Sequence, residues 1–97
     1  MRYEIIFTPE ADEDLEELGA HTRAEVSDAI EIHLRDEPEK ISKSRIKRLR
    51  ELASPRYRLR VGKIRVFYDV IGHDVVLLGI VPKPVALAWL RAFGERA

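Results

Sequence analysis

The sequence predicts an α+β fold of order β-α-α-β-β-β-α: an antiparallel-rich sheet with a helical hairpin on one face and a C-terminal helix. Three observations carry this. Residues 56–70 alternate apolar and polar side chains on either side of Gly62-Lys63, the pattern of two half-buried strands joined by a tight turn. Residues 8–38 hold two stretches of helical period, each with a capping residue near its start and a Gly or Pro near its end, as helix boundaries require. Residues 75–81 are apolar apart from one glycine, which suits a strand covered on both faces.

In chain order, Met1–Phe7 reads as a strand with Tyr3, Ile5 and Phe7 on one face. Thr8 caps a helix that opens on Pro9, a residue tolerated at the first helical position. Glu10, Asp12, Glu13 and Asp14 complement the dipole of its first turns, and Ala11, Leu15 and Leu18 form its inner stripe up to Gly19. Thr22 and Glu25 have capping-box spacing for a second helix whose inner face is Val26, Ala29, Ile30, His33 and Leu34. Pro38 limits it, because the residue before a proline avoids the helical region. Glu39–Pro55 is a basic linker in which Ile46, Leu49 and Leu52 have the spacing of a helical turn. The hairpin follows, then a second tight turn at Gly72-His73, the apolar strand Asp74–Val81, and a stop at Pro82-Lys83-Pro84. Val85, Ala88, Trp89, Ala92 and Phe93 then recur at helical spacing.

With 97 residues, the chain is expected to form one domain, 1–97, around one core. It has no cysteine, so neither a disulfide framework nor thiolate chemistry is available, and a reducing, cytoplasmic setting is expected. No apolar run approaches the length of a membrane span and no basic-then-apolar leader opens the chain, so no membrane partner is expected. The formal net charge of zero is a cancellation. Residues 1–39 carry thirteen acids against three Lys/Arg, whereas residues 40–65 carry eleven Lys/Arg against the single acid Glu51. Asymmetry on this scale points to an anionic partner for the basic half.

The hairpin sharpens that reading. A two-residue turn at Gly62-Lys63 sets Val61 opposite Ile64, Leu59 opposite Val66 and Tyr57 opposite Tyr68 on one face. The other face then holds Arg60 opposite Arg65, Arg58 opposite Phe67 and Arg56 opposite Asp69. Like charges directly across a strand pair destabilise it by roughly 0.2–1 kcal/mol. A phosphate between them would reverse that sign, because the guanidinium fork matches phosphate oxygens.

Other chemistries lack support in the sequence. His21, His33 and His73 have no metal-ligand spacing, so no metal or other cofactor is expected. Ser42, Ser44 and Ser54 have no neighbouring base, no nucleophile elbow is present, and Gly62-Lys63 lacks the rest of a phosphate loop. Clustered arginine with Tyr and Phe nearby suits single-stranded nucleic acid, with guanidinium on phosphate and rings on bases. Lys47, Arg48, Arg50, Arg56, Lys63 and Phe67 are the candidate RNA contacts. RNA carries its own nucleophile, the 2′-hydroxyl, and Arg58, Arg60 and Arg65 could stabilise the charge that develops at phosphorus. Arginine does not surrender its proton, so a base would come from Lys63, Lys83, a tyrosine or Glu51.

Leu49-Arg50-Glu51-Leu52, Tyr57-Arg58-Leu59-Arg60-Val61-Gly62 and Ile64-Arg65-Val66-Phe67-Tyr68-Asp69-Val70 together resemble the RelE/ParE superfamily of toxins, on its RelE-like branch. The likeness runs over nearly the whole chain. It implies the toxin of a type II toxin–antitoxin system, held in a hetero-oligomer by a cognate antitoxin. RelE-like members cleave mRNA on the ribosome without metal, through a 2′,3′-cyclic phosphate, and so inhibit translation; ParE-like members poison DNA gyrase without acting as nucleases. A third implied role is that of a weakened toxin that serves mainly as an antitoxin-binding co-repressor. Arg58 and Arg60 match the basic positions of the first hairpin strand, Arg65 that of the second, and Lys83 one position of a basic cluster at the end of the sheet; these four are the catalytic candidates. Pro84 stands where an arginine is common, and Trp89-Leu90 where RelE-like sites often place a tyrosine.

Overall fold

The computed structural model describes residues 2–96. Its elements are β1 (Glu4–Phe7), α1 (Pro9–Glu16), α2 (Ala20–Leu34), β2 (Ile46–Arg48), β3 (Tyr57–Val61), β4 (Ile64–Ile71), β5 (Asp74–Pro82), a 3₁₀ turn (Lys83–Val85) and α3 (Ala86–Arg96). The five strands form one sheet in the order β1-β5-β4-β3-β2. Only β1 runs parallel to its neighbour; every other pairing is antiparallel. The α+β architecture read from the sequence is the one observed, with one additional strand.

Gly62 adopts φ +56°, a region open to glycine at no steric cost, and so closes the two-residue loop. The register that follows pairs Val61 with Ile64, Leu59 with Val66, Tyr57 with Tyr68, Arg58 with Phe67 and Arg60 with Arg65. The apolar face of this ribbon enters the core with Ala11 of α1 and Val26, Ala29, Ile30 and Leu34 of α2. Tyr57 and Tyr68 stack there at 5.4 Å between ring centroids. Each phenol finds a partner: Tyr68 donates to the Pro38 carbonyl at 2.6 Å and Tyr57 to the Glu39 carboxylate at 3.2 Å. Burial foremost, then Tyr57 and Glu39, pushes the Tyr68 pKa well above the ordinary phenol value.

Thr8 caps α1 by accepting from the Ala11 amide at 3.2 Å. The proposed capping box of α2 is not formed. The helix starts at Ala20, so Thr22 lies inside it, and Gly19 is its N-cap rather than the stop of α1. The Gly19 carbonyl accepts from Arg23 N at 2.8 Å, which draws the helix start two residues ahead of Thr22. The helical turn expected at Ile46, Leu49 and Leu52 is also replaced. Ile46 is buried in the main core, and β2 pairs with β3 as the edge strand. Bringing one apolar side chain inward from a strand leaves Lys47 and Arg48 on the surface, which a helical turn with three leucine-like anchors would not do.

A register shift at Phe67/Tyr68 changes the parity of β5. Leu77 and Ile80 therefore both reach the core, although simple alternation would separate them. The shift also places Gly79 opposite Phe67 on the other face. There Trp89 of α3 lies flat on Phe67, 4.9 Å between centroids and 6° from parallel, and Phe93 also stacks on the indole at 5.0 Å. A Cβ on Gly79 would sit 2.5 Å from Trp89 Cε2, so this close approach requires glycine. Trp89 covers Phe67, but the wider stripe does not bury: Val85 lies in the 3₁₀ turn and is exposed, as are Ala88 and Ala92. Beyond Phe7 the edge of β5 is open, and Asp14 of α1 closes it by accepting from Ile80 N at 3.0 Å.

Candidate nucleic-acid interface

Alternation along β3 and β4 puts Arg58, Arg60 and Arg65 on the sheet face opposite α1 and α2. Lys83 joins them at the end of β5, held by its amide donating to the Lys63 carbonyl at 2.8 Å. With Lys47 of β2, these four side chains line one hollow of about 470 Å³. Ile41, Ser42, Lys43 and Ile46 complete its wall, and no carboxylate lines it. All four catalytic candidates are thus brought to one place.

Arg65 is the most enclosed of them, 7% exposed. Its Nη1 donates to the carbonyls of Gly62 at 2.9 Å and Ile64 at 3.1 Å, so it also ties the hairpin turn. Arg58 is half-buried, and its Nε is sealed from solvent without a hydrogen-bond acceptor. Arg60 is exposed at the mouth. Among the described residues no ion pair involves any of the three. Burial first, then the charges of Arg65 and Arg60, pull the Arg58 pKa below its ordinary value; burial and then Arg60 do the same at Arg65. These groups remain cationic, so the strain marks a site short of negative charge rather than a change of protonation.

The remaining candidates scatter. Lys47 lies in the hollow, whereas Arg48 and Arg50 line a second hollow with α3. Lys63 sits at the hairpin tip beside Thr22 and Glu25. Arg56 is exposed, and its backbone amide donates to Asp69 at 2.7 Å. Asp69 also accepts from the Ser54 hydroxyl at 2.5 Å, so this carboxylate fixes the return of the chain into β3. Phe67 is 1% exposed beneath Trp89, with its ring away from solvent. Of the bases considered, Lys83 alone lies in the hollow: Glu51 is in the second one, and Tyr57 and Tyr68 face the core.

Sequence reasoning missed Ser42 and Lys43 as parts of this site. Ser42 Oγ accepts from the amides of Arg45 at 3.0 Å and Ile46 at 3.2 Å, folding the segment before β2 into a turn that brings Lys43 into the lining of the hollow. The local signal is a serine three and four residues ahead of those amides, a side-chain turn of known type. Among the described residues no helix is long and apolar enough to cross a membrane.

The family described as "ParE toxin of type II toxin-antitoxin system, parDE" matches residues 5–82. No curated protein matches the sequence. Among solved structures, the chain is similar to the RelBE2 toxin-antitoxin complex from Mycobacterium tuberculosis, with 26% identity, TM-score 0.70, and 84% of this chain and 99% of that chain covered. The archaeal RelE-RelB complex from Pyrococcus horikoshii shares the fold at 22% identity and TM-score 0.69, covering 89% of this chain and 100% of that one. A free-state mutant of the E. coli toxin RelE does so at 17% identity and TM-score 0.60, covering 99% of this chain and 97% of that one. A family match over most of the length, the hairpin motif and the RelE-like topology agree: the chain belongs to the RelE/ParE superfamily of type II toxin–antitoxin toxins.

Proposed function

We propose that this toxin is a ribosome-dependent endoribonuclease that cuts mRNA by attack of the RNA's own 2′-hydroxyl. One observation carries the reading: Arg58, Arg60, Arg65 and Lys83 converge on one hollow without a carboxylate among its lining residues. A bound phosphodiester would relieve the repulsion between the arginines, which the register sets with Arg60 directly opposite Arg65. In the reaction the 2′-oxygen attacks phosphorus while its proton passes to Lys83, which acts in its neutral amine form as the general base. The bond to the 5′-oxygen breaks, leaving a 2′,3′-cyclic phosphate, and the departing oxygen takes a proton from water. The guanidinium groups stabilise the doubly charged phosphorane, in which the negative charge on the non-bridging oxygens is greatest. The partners of this reading are mRNA on the ribosome and an antitoxin bound as a second chain. The antitoxin is supported by the structural neighbours solved as toxin-antitoxin complexes.

The match to the ParE family favours a second reading, a non-enzymatic toxin that grips DNA gyrase. Expression without an antitoxin separates the two. Cuts within codons, mapped at mRNA ends on stalled ribosomes, are expected. Arg60→Ala should lower cutting by about a hundredfold, the usual cost of one donor in a preorganised charge site, and Lys83→Met by about a hundredfold or more, the cost of a lost general base. Both are cleaner than Arg65→Ala, which also releases the turn carbonyls. Intact transcripts with induced DNA damage would overturn the nuclease and support gyrase binding.

A further inference from the structure

From the second hollow we infer a nucleobase subsite beside the cleavage hollow, which holds an unstacked base of the same RNA strand; this rests on the nuclease reading. The second hollow measures about 550 Å³ and opens between the 49–52 loop and α3. Its floor is apolar: Leu49 and Leu52 from the loop, Leu87 and Leu90 from the helix. Leu87 is 60% exposed, a large apolar side chain that the fold itself does not cover. The rim is cationic, with Arg48, Arg50 and Arg91. A leucine floor under guanidinium planes offers a flat apolar surface to a base and point charges to the phosphates on either side of it.

Continuity selects the occupant. Lys47 lines both hollows, so one strand edge carries cations from the cleavage site to the leucine floor without a break. A polyanion leaving the first hollow meets the second along that edge. Glu51 is the single carboxylate in its lining. A carboxylate repels phosphate but accepts from the donor edge of a base. Guanine presents two adjacent N–H donors on its Watson–Crick edge, more than any other base, so it is the base this subsite prefers.

The test is anisotropy with labelled single-stranded oligoribonucleotides, from dinucleotide to octanucleotide, carrying a 2′-deoxy residue at each position to prevent cleavage. Affinity should step up by about tenfold at the length that reaches the second hollow, the contribution of one stacked base. Leu87→Asp, at an exposed position that folding does not need, should abolish the step and leave short oligomers unaffected. Glu51→Gln should erase the preference for guanine at one position. Arg60→Ala should weaken every length by a common factor. A length step unchanged in Leu87→Asp would overturn the subsite while the nuclease reading stands. Binding of an acidic leucine-containing peptide that Leu87→Asp destroys, with no step for RNA, would also overturn it and assign the groove to a protein partner. Failure of every oligomer to bind would overturn the subsite, while the cuts mapped on stalled ribosomes decide the nuclease reading separately.

Discussion

Replacing Arg58 by methionine should raise stability and weaken polyanion binding at once. Arg58 is half-buried, with its Nε sealed from solvent and without an acceptor, and two further cations lie near it. Removing an unsatisfied buried donor regains about 1–3 kcal/mol, and relief of like-charge repulsion adds a few tenths. Methionine keeps an aliphatic stem in place of the arginine's own, so packing changes little. A net gain of about 1–2 kcal/mol corresponds, at this chain length, to a rise in Tm of about 4–12 °C. Binding should move the other way. One charge-assisted hydrogen bond to phosphate contributes about 1.5–3 kcal/mol, so affinity for a single-stranded oligonucleotide should fall by about ten- to a hundredfold. The slope of log K against log salt should also shrink by about 0.7 for the lost phosphate contact. Thermal melting and anisotropy at several salt concentrations measure both arms. A Tm below the parent's would refute the reasoning, because the guanidinium would then be holding the protein together rather than waiting for an external anion.

Three further outcomes follow from the packing. Gly79→Ala should push the indole off Phe67, since a Cβ there lies 2.9 Å from Trp89 Nε1; Trp89 is the chain's sole tryptophan, so red-shifted fluorescence and a loss of about 1–3 kcal/mol report the clash directly. Tyr68→Phe should cost about 1–2 kcal/mol in urea titrations by leaving the buried Pro38 carbonyl without its donor. Burial, with Arg45 adding to it, holds the His33 pKa below its ordinary 6.5. Below that pH the unfolded chain takes up a proton that the folded chain resists, so this residue lowers stability as pH falls. His33→Gln should flatten the urea-midpoint profile as the pH falls through 6.5, and an unchanged slope would remove the assignment.

The hairpin register was legible because two independent signals agree on it: a glycine suited to a two-residue turn, and apolar alternation on both sides. Together they put Arg60 opposite Arg65 before any coordinates were needed, and the observed pairing is the same. The edge strand β2 was not legible. Three residues, two of them basic, give no periodicity, and the leucines that follow mimic a helical turn until Ile46 is seen packed in the core. The bulge was equally silent, because an extra residue in a wholly apolar strand changes nothing in composition; only Gly79 hints that something lies close. The site was legible as a set of arginines. Its depth was not, because Ser42 and Lys43 reach the hollow by the course of a loop rather than by pattern.

The same turn specifies both the core and the site. Slipping the ribbon by one residue would send Arg58, Arg60 and Arg65 toward α2 and bring Leu59, Val61 and Val66 to the surface, since side chains alternate with period two. The acids gathered in residues 1–39 lie largely on the two helices, and none of them lines the hollow. That separation keeps the acidic half from neutralising the basic half. A protein with no net charge can therefore still present a concentrated positive field on one face, which draws a polyanion in a defined orientation. The core face of the hairpin and the candidate site depend on the same register, so a variant that loosens the Gly62 turn should lose both together.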